Sequence, residues 1–382
     1  MSTDVISVLQ PIFDEIAAQG IIATIARDPI LQFGTPQMRL LMANYLPRRL
    51  SDVNTITEDL TLVTAHIADD GDPMSPPQIK AITKGMPITV VLGHIDTAAQ
   101  MSAREHREIS YLVQRNERAQ AISRVIRWLT TVTRQAISLK EEKQRCDAIA
   151  NGTVTITPMN GASYDITFPI PADNVVTVPS GTVAAPAGFY GANYNPILDF
   201  LVPMRNRLRD LGMEPMVIIT SNKIATAMEQ NEQLRKMAGN IIITDTGLAS
   251  GQRDISAAYL DSMLRQNGLP PLMRYDSRYP LQDGSKVRFW PEDKLVMLGA
   301  TGRSEIIEWT EERELKSILL PNTLGYYGVG ISLGQSAPGM VITTKASDLK
   351  PVGWYAEAYQ ESFPVPLEYE AIVQATIPEP TP

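Results

Sequence analysis

At 382 residues, with 34 basic and 42 acidic side chains and a net charge of −8, the chain has room for two or three packed modules and lacks the positive balance of a duplex-DNA binder. Its apolar content of 44% excludes bulk disorder. No apolar run reaches the roughly 18–20 residues of a membrane span, and the single cysteine, Cys146, excludes an intrachain disulfide and suits a reducing compartment.

The opening stretch, MSTDVISVLQPIFDEIAAQG, has neither a basic leading region nor a small-residue cleavage site, so no signal peptide is expected. Residues 1–45 read as short helical pieces broken by Gly20, Pro29, Gly34 and Pro36, with apolar content but no partner of their own. That pattern predicts an arm that docks on something else. Residues 46–98 alternate in the manner of strands around an interruption rich in Pro, Gly and Asp. The expected form is a long open hairpin, rising over 60–67 and returning over 79–92, which needs a neighbour because an isolated hairpin is marginal in water.

Ser102 and Glu105 then form an S-x-x-E capping box, and no Pro or Gly follows until Gly152. Ile122, Val125, Ile126, Leu129, Val132, Ala136 and Ile137 recur at helical spacing. One helix over 102–150, roughly 65 Å long if unbroken, is predicted as a spine for sheets to pack on. Its arginines read as a solvated or inter-subunit face, Glu141-Glu142 as solvated surface, and Cys146 as a small apolar filler near the helix end. After the Asn151-Gly152 stop, TVTITPMNGASYDITF reads as a hairpin turning at Asn160-Gly161.

A connector rich in Pro, Gly and Ala leads to an α/β module from Pro196. It contains a helix ending at Gly212, the buried strand PMVIIT, a helix opening at Asn222, a strand NIIIT, a helix capped by Asp254, and the short strands PLMRY, SKVRFW and KLVMLG. After Thr323 the text returns to short strands, and the tail PEPTP is expected to fray.

The stretch ITVVLGHIDT ends in Gly93-His94-x-Asp96, a spacing that zinc peptidases use for two ligands. A metal centre needs about four converging donors. The chain has only three histidines (His66, His94 and His106), and none follows position 106. The acid pairs Glu141-Glu142 and Glu311-Glu312 are the other candidates for ligands. Gly328-x-Gly330 lacks the third glycine of a dinucleotide loop, and there is no nucleophile-elbow or phosphate-loop sequence. No catalytic, cofactor or metal residues are assigned.

Four passages carry a resemblance over nearly the whole chain: RCDAIANGTVTITPMNGASYDITFP, NPILDFLVPMRNRLRDLGMEPMVIITSNKIATAM, FWPEDKLVMLGA, and the closing strands from APGMVITTKAS onward with Ser362-Phe363-Pro364-Val365-Pro366. In that order they resemble the tailed-phage major capsid proteins of the lambda major head protein E family. The resemblance implies an α+β chain with the Hong Kong 97-type capsid fold. Residues 1–45 would be an N-terminal arm, 46–98 an extended loop, 99–195 with 321–382 a peripheral domain built on the spine helix, and 196–320 an axial domain. It implies a major capsid protein that assembles into hexamers and pentamers of an icosahedral shell, made in the bacterial cytoplasm and resident in the virion. Expected partners are other copies of the chain, a separate scaffolding protein, a portal and a decoration protein. Packaged DNA would face the inner surface without sequence-specific binding, and no membrane or cofactor is involved. Arg48, Arg49, Lys80, Lys84, Arg115 and Arg118 are the expected inter-subunit contacts. Lys80 and Lys84 lie where some relatives place a cross-linking lysine, but no matching Asn motif is evident. The alternatives are an encapsulin-type nanocompartment shell and, from a different class, a zinc metallohydrolase using His94 and Asp96.

Overall fold

The computed structural model describes residues 3–27, 40–60, 86–157, 162–183, 185–242, 255–281, 283–311, 314–347 and 353–380. In chain order the first elements are α1 (Thr3–Ala18), α2 (Ile21–Arg27), β1 (Arg48–Leu50), β2 (Thr55–Leu60), β3 (Met86–Val91), β4 (Gly93–Gln100), α3 (Ala103–Gln114), α4 (Arg118–Thr130) and α5 (Ala136–Asn151). Next come β5 (Thr153–Ile156), β6 (Tyr164–Thr167), β7 (Val175–Thr177), α6 (Val202–Asp210), β8 (Pro215–Thr220), α7 (Asn222–Gln230), α8 (Glu232–Ile242), α9 (Ala257–Gln266) and β9 (Leu272–Arg274). The last are β10 (Arg278–Pro280), β11 (Lys286–Arg288), β12 (Lys294–Gly299), β13 (Ser304–Glu311), β14 (Glu314–Pro321), β15 (Gly325–Val329), β16 (Val341–Ser347), β17 (Gly353–Pro366) and β18 (Ile372–Thr376). The chain is α+β.

The spine differs from the expectation of one helix over 102–150. The Ser102 capping box is present, with Ser102 accepting from the Glu105 amide and the Glu105 carboxylate accepting from the Ser102 amide. The helix it starts stops at Gln114, and Asn116 takes a left-handed φ of 62°, which turns the chain back. Asn is the commonest non-glycine residue to tolerate that conformation, so a break appears where the sequence has neither Gly nor Pro. The long helix is the 34-residue run from Arg118 to Asn151, about 51 Å at 1.5 Å per residue. A π-turn at Thr131–Gln135 interrupts it. Thr131 and Thr133 each donate a hydroxyl to the carbonyl four residues back, at 2.9 and 2.6 Å, a bond that competes with the helical ladder and bends it. Gly152 ends the helix with φ of 64°, as the Asn-Gly stop implied. Replacing Ser102 by Ala removes one half of the capping box and is expected to cost about 1 kcal/mol, read as a lower urea midpoint of the unassembled chain; an unchanged midpoint would contradict the cap.

Two sheets pack on this spine. The first is mixed, in the order β1-β15-β17-β16, with β4 also paired to β17. β1 runs parallel to β15, and the other pairings are antiparallel. Gly325 is needed there: its φ is 150°, and a Cβ would sit 2.3 Å from the Val365 carbonyl oxygen. One core joins α1, α3 and α4 to the strands through Leu9, Phe13, Val125, Leu129, Ile342 and Trp354. The second sheet has the order β7-β18-β12-β8-β9. Ile218, Leu295, Met297 and Val373 face the cluster that holds α6, α7 and α9. Val217, Ile219, Val296 and Leu298 face Cys146, Ile149, Tyr275 and Trp290. Burial on both faces explains why PMVIIT is an unbroken apolar run.

Several expectations change. The described part of the opening hairpin pairs Thr55–Leu60 with Met86–Val91, and residues 61–67 of the expected rising strand and 79–85 of the returning one lie outside the described residues. The returning strand ends at Val91, next to the expected 92, and a separate strand, Gly93–Gln100, then pairs along β17. Residues 240–242 of the predicted strand NIIIT belong to α8. The cap of α9 is Ser256, whose hydroxyl accepts from the Tyr259 amide, and Asp254 lies outside the described residues. The second sheet also takes strands from both sides of 196–320, since 175–177 and 372–376 pair within it. The hairpin after the spine pairs Thr153 with Thr167 through Ile156 with Tyr164 as expected, its Asn160-Gly161 turn again lying outside the described residues.

The arm also differs. Leu9, Ile12, Phe13 and Ile16 of α1 are buried within this chain. The Phe13 ring stacks on Trp354 with centroids 3.9 Å apart, and Arg118 reaches Glu15 at 2.6 Å. The partner missing from the opening segment is supplied by α4 and the first sheet of the same chain.

Candidate functional site

The centre of the fold is a buried charge cluster on α5. Glu141 and Glu142 were expected in solvent, yet both are buried, as are Arg134, Gln144 and Arg145. Arg48 on β1 grips Glu141 with Nε 3.1 Å from each carboxylate oxygen, and with its Nη2 as well. Gln360 on β17 donates to Glu141 at 2.8 Å and accepts from Arg48 at 2.7 Å. Arg145, one turn on, reaches Glu141 at 3.4 Å, donates to the Leu46 carbonyl at 2.9 Å and lies 4.3 Å over the Tyr327 ring. Burial alone would raise the Glu141 carboxyl pKa; Arg48, Arg145 and Arg134 outweigh it and hold it at about 2.

Glu142 points the other way. It accepts from the Met42 amide at 2.9 Å and the Tyr275 hydroxyl at 2.7 Å. Burial dominates there and raises its pKa, with Arg145 pulling against it. The same burial raises the Tyr275 hydroxyl, so it stays a donor at neutral pH. Adjacent carboxylates thus tie β1 and β17 on one side to residue 42 and Tyr275, the residue just past β9, on the other. The sequence signal for this was Glu141 and Glu142 at i,i+4 and i,i+3 from Arg145. It was masked because α5 is enclosed between two sheets, and charge on an enclosed helix no longer marks the solvent face.

The residues predicted as contacts do not gather into one site. Arg48 is partly buried and paired within the chain to Glu141. Arg49 lies 4.6 Å over the Tyr326 ring and 3.3 Å from Glu58, joining β1 to β2. Arg115 and Arg118 are exposed at the turn between α3 and α4, with Arg115 3.3 Å from Glu117. Lys80 and Lys84 lie outside the described residues. Exposed apolar side chains that sequence reading missed are Leu50, Val53 and Val91 at the base of the β2–β3 hairpin, and Ile306 and Leu319 on β13 and β14.

His94 and Asp96 sit two apart on β4, on its solvent side, with Ile95 buried between them. His94 Nδ1 lies 2.7 Å from Glu361 Oε1 directly across the strand pair. This is a cross-strand pair at a sheet surface.

What decides the class is a match to a family sequence model, described as "Phage major capsid protein E", over residues 64–377. The chain belongs to the phage major capsid protein E family. It is therefore a major capsid protein of a tailed phage, a subunit of the icosahedral virion shell and not an enzyme, and the zinc-hydrolase alternative falls. Among curated proteins none matches the chain. Among solved structures this major capsid protein is similar to a protein assigned as a prophage capsid protein of E. coli CFT073, at 16% identity, covering 90% of this chain and 94% of that one, with a TM-score of 0.48. It is similar to a phage-related protein from Bordetella bronchiseptica at 13% identity, covering 93% and 96%, with a TM-score of 0.49. It is also similar to a chain of the satellite phage P4 procapsid at 11% identity, covering 97% and 99%, with a TM-score of 0.43.

Proposed function

We propose that this major capsid protein builds its shell from hexamers and pentamers with the Hong Kong 97-type subunit plan. The family match over 64–377 carries this reading. The second sheet with its helices would face the capsomer axis. The first sheet and the 118–151 helix would form the periphery, and the β2–β3 hairpin would extend over a neighbour. Exposed Val91 on the hairpin, with exposed Leu50 and Val53 on the chain leading into it, supports that role, because apolar side chains left in solvent mark contact surfaces. Arg49, Arg115 and Arg118, with Lys80 and Lys84 on the loop, would supply polar contacts around it. A scaffolding protein, a portal and a decoration protein complete the expected partners, and packaged DNA lies against the inner face without sequence reading. Many modest contacts per subunit would then sum to a shell that resists disassembly.

Negative-stain microscopy of the expressed chain, alone and with a candidate scaffolding protein from the same genome, is expected to show rings or closed shells. A purely monomeric protein under both conditions would refute the assembly plan.

A further inference from the structure

We propose that Gly328 and Gly330, with Asn54, form a seat that sets the direction in which the β2–β3 hairpin leaves the subunit, and that this direction decides whether copies of the chain close into uniform shells. The inference rests on the reading above that the hairpin extends over a neighbour. It gives a task to the Gly328-x-Gly330 pair, which no dinucleotide loop accounts for.

The seat follows from strand alternation, because side chains two apart on a strand share a face. Tyr327 faces α5, where its hydroxyl donates to Gln144 and its ring lies against Arg145. Tyr326 and Gly328 therefore face the other way, and Gly330 continues that face just past the end of β15. Tyr326 donates its hydroxyl to Glu58 of β2 at 2.6 Å. Beyond it the two glycines leave a strip of bare backbone, and the root of the hairpin lies on that strip. Ile56 and Leu92 are buried there in one cluster with Tyr326 and Phe363. A Cβ on Gly328 would sit 2.8 Å from Ile56 Cδ1 and 3.2 Å from Leu92 Cδ2. On Gly330 it would sit 2.3 Å from Asn54 Oδ1 and 2.6 Å from Leu92 Cδ1. Neither glycine has a positive φ, so what each supplies is room for a close approach.

Asn54 closes the seat. The Ile331 amide donates to Asn54 Oδ1 at 2.8 Å, and Asn54 Nδ2 donates to the Ile331 carbonyl at 2.8 Å. The Leu92 amide donates to the Asn54 carbonyl at 2.9 Å. The side chain thus copies the two-bond exchange of a strand pair, in the gap between the end of β1 and the start of β2. The hairpin springs from β1, beside β15, and returns into β4, beside β17, so its root must cross the β15–β17 pair. Two backbone connections alone would let it swing across that pair. The bare strip and the Asn54 bonds fix one crossing. Every atom that an added Cβ would crowd at the two glycines below 3.4 Å is a side-chain end, so a methyl there displaces the root and leaves the sheet pairings in place.

The test reads position and assembly separately. Nitroxide labels carried by the pair Thr57→Cys and Lys345→Cys, two exposed positions, report the hairpin against β16 in unassembled full-length chain. Native Cys146 is buried and stays unlabelled. One narrow distance distribution is expected in this background. Gly328→Ala and Gly330→Ala are each expected to shift or broaden it. Without labels, under conditions in which wild type forms shells, the same variants are expected to give open or size-mixed particles by electron microscopy. Gly93→Ala is the matched control. It adds a methyl at the hairpin's exit, where the nearest atom is 3.5 Å away, and is expected to change neither reading. Ile56→Val removes the Cδ1 that crowds Gly328→Ala, and the double variant is expected to recover both readings. Asn54→Ala adds no atom and is expected to broaden the distances, which keeps the test open where a glycine variant does not fold. Distances unmoved in all three single variants overturn the seat. Moved distances with uniform shells overturn its role in assembly. Wild-type chain that forms neither rings nor shells overturns the shell reading and that role with it, while the seat stands or falls on the distances alone.

Discussion

Replacing Glu141 by Ala is expected to destabilise the unassembled subunit by about 3–5 kcal/mol, because it leaves the largely enclosed Arg48 without its counter-charge and the buried Arg145 with only the more distant Glu142. A surface control fixes the scale: removing Glu357 from its exposed pair with Lys345 is expected to change stability by less than about 1 kcal/mol. The pH dependence has a definite sign. The Glu141 pKa is lowered from 4.5 to about 2 on folding. Its contribution, on the order of 3 kcal/mol, is complete above the unfolded value and drains away as pH falls from about 4.5 to 2. Glu142 opposes it. With its pKa raised, it penalises the fold once pH exceeds its unfolded value, and that penalty is relieved by acid. Urea midpoints from pH 7 to pH 2.5 should therefore fall on the acid side in wild type and flatten there in Glu141→Ala. A variant within about 1 kcal/mol of wild type at pH 7 would mean that the cluster is hydrated or rearranged in solution.

The second large effect concerns the opening helix. Phe13→Ala empties the stack on Trp354 and opens a void among Leu9, Ile12, Ile16, Val125 and Leu129. Such a truncation costs about 3–5 kcal/mol when the site cannot collapse, and α1 is held on one side by a long helix and on the other by a sheet. Trp354→Ala should cost a similar amount. The double variant should fall short of additivity by about 1 kcal/mol, the coupling expected of a stacked aromatic pair. Additive losses, or a Phe13→Ala cost below about 1 kcal/mol, would place the helix away from Trp354 in the free subunit. Because α1 supplies part of the subunit's own core, the arm is a structural piece of the protomer before any neighbour is present.

Much of this protein was legible in its residues. The Ser102-Glu105 box, the Gly152 stop, the pairing of Thr153–Ile156 with Tyr164–Thr167 and the apolar strand PMVIIT are local signals, each decided by hydrogen bonding or sterics within a few residues. Their order along the chain was enough to point to the capsid family. His94 and Asp96 illustrate the reverse: a two-residue spacing resembles a ligand pair, but strand alternation next to Glu361 accounts for it.

The rest depended on what lies across the chain. Asn116 breaks the spine, and Thr131 and Thr133 sit in its π-turn, without Gly or Pro, because they act through a tolerated left-handed turn and side-chain bonds to the backbone that helical periodicity does not register. Glu141 and Glu142 read as surface because a charged pair on a helix ordinarily is. Only the closing of two sheets around α5, with Arg48 arriving from 93 residues away and Gln360 from 219 residues away, makes burial affordable. Local patterning thus determined the elements and the class of protein. Which face of each element is inside, and which charges the inside can hold, was decided by tertiary packing, since desolvation is set by neighbours that no short stretch of sequence contains.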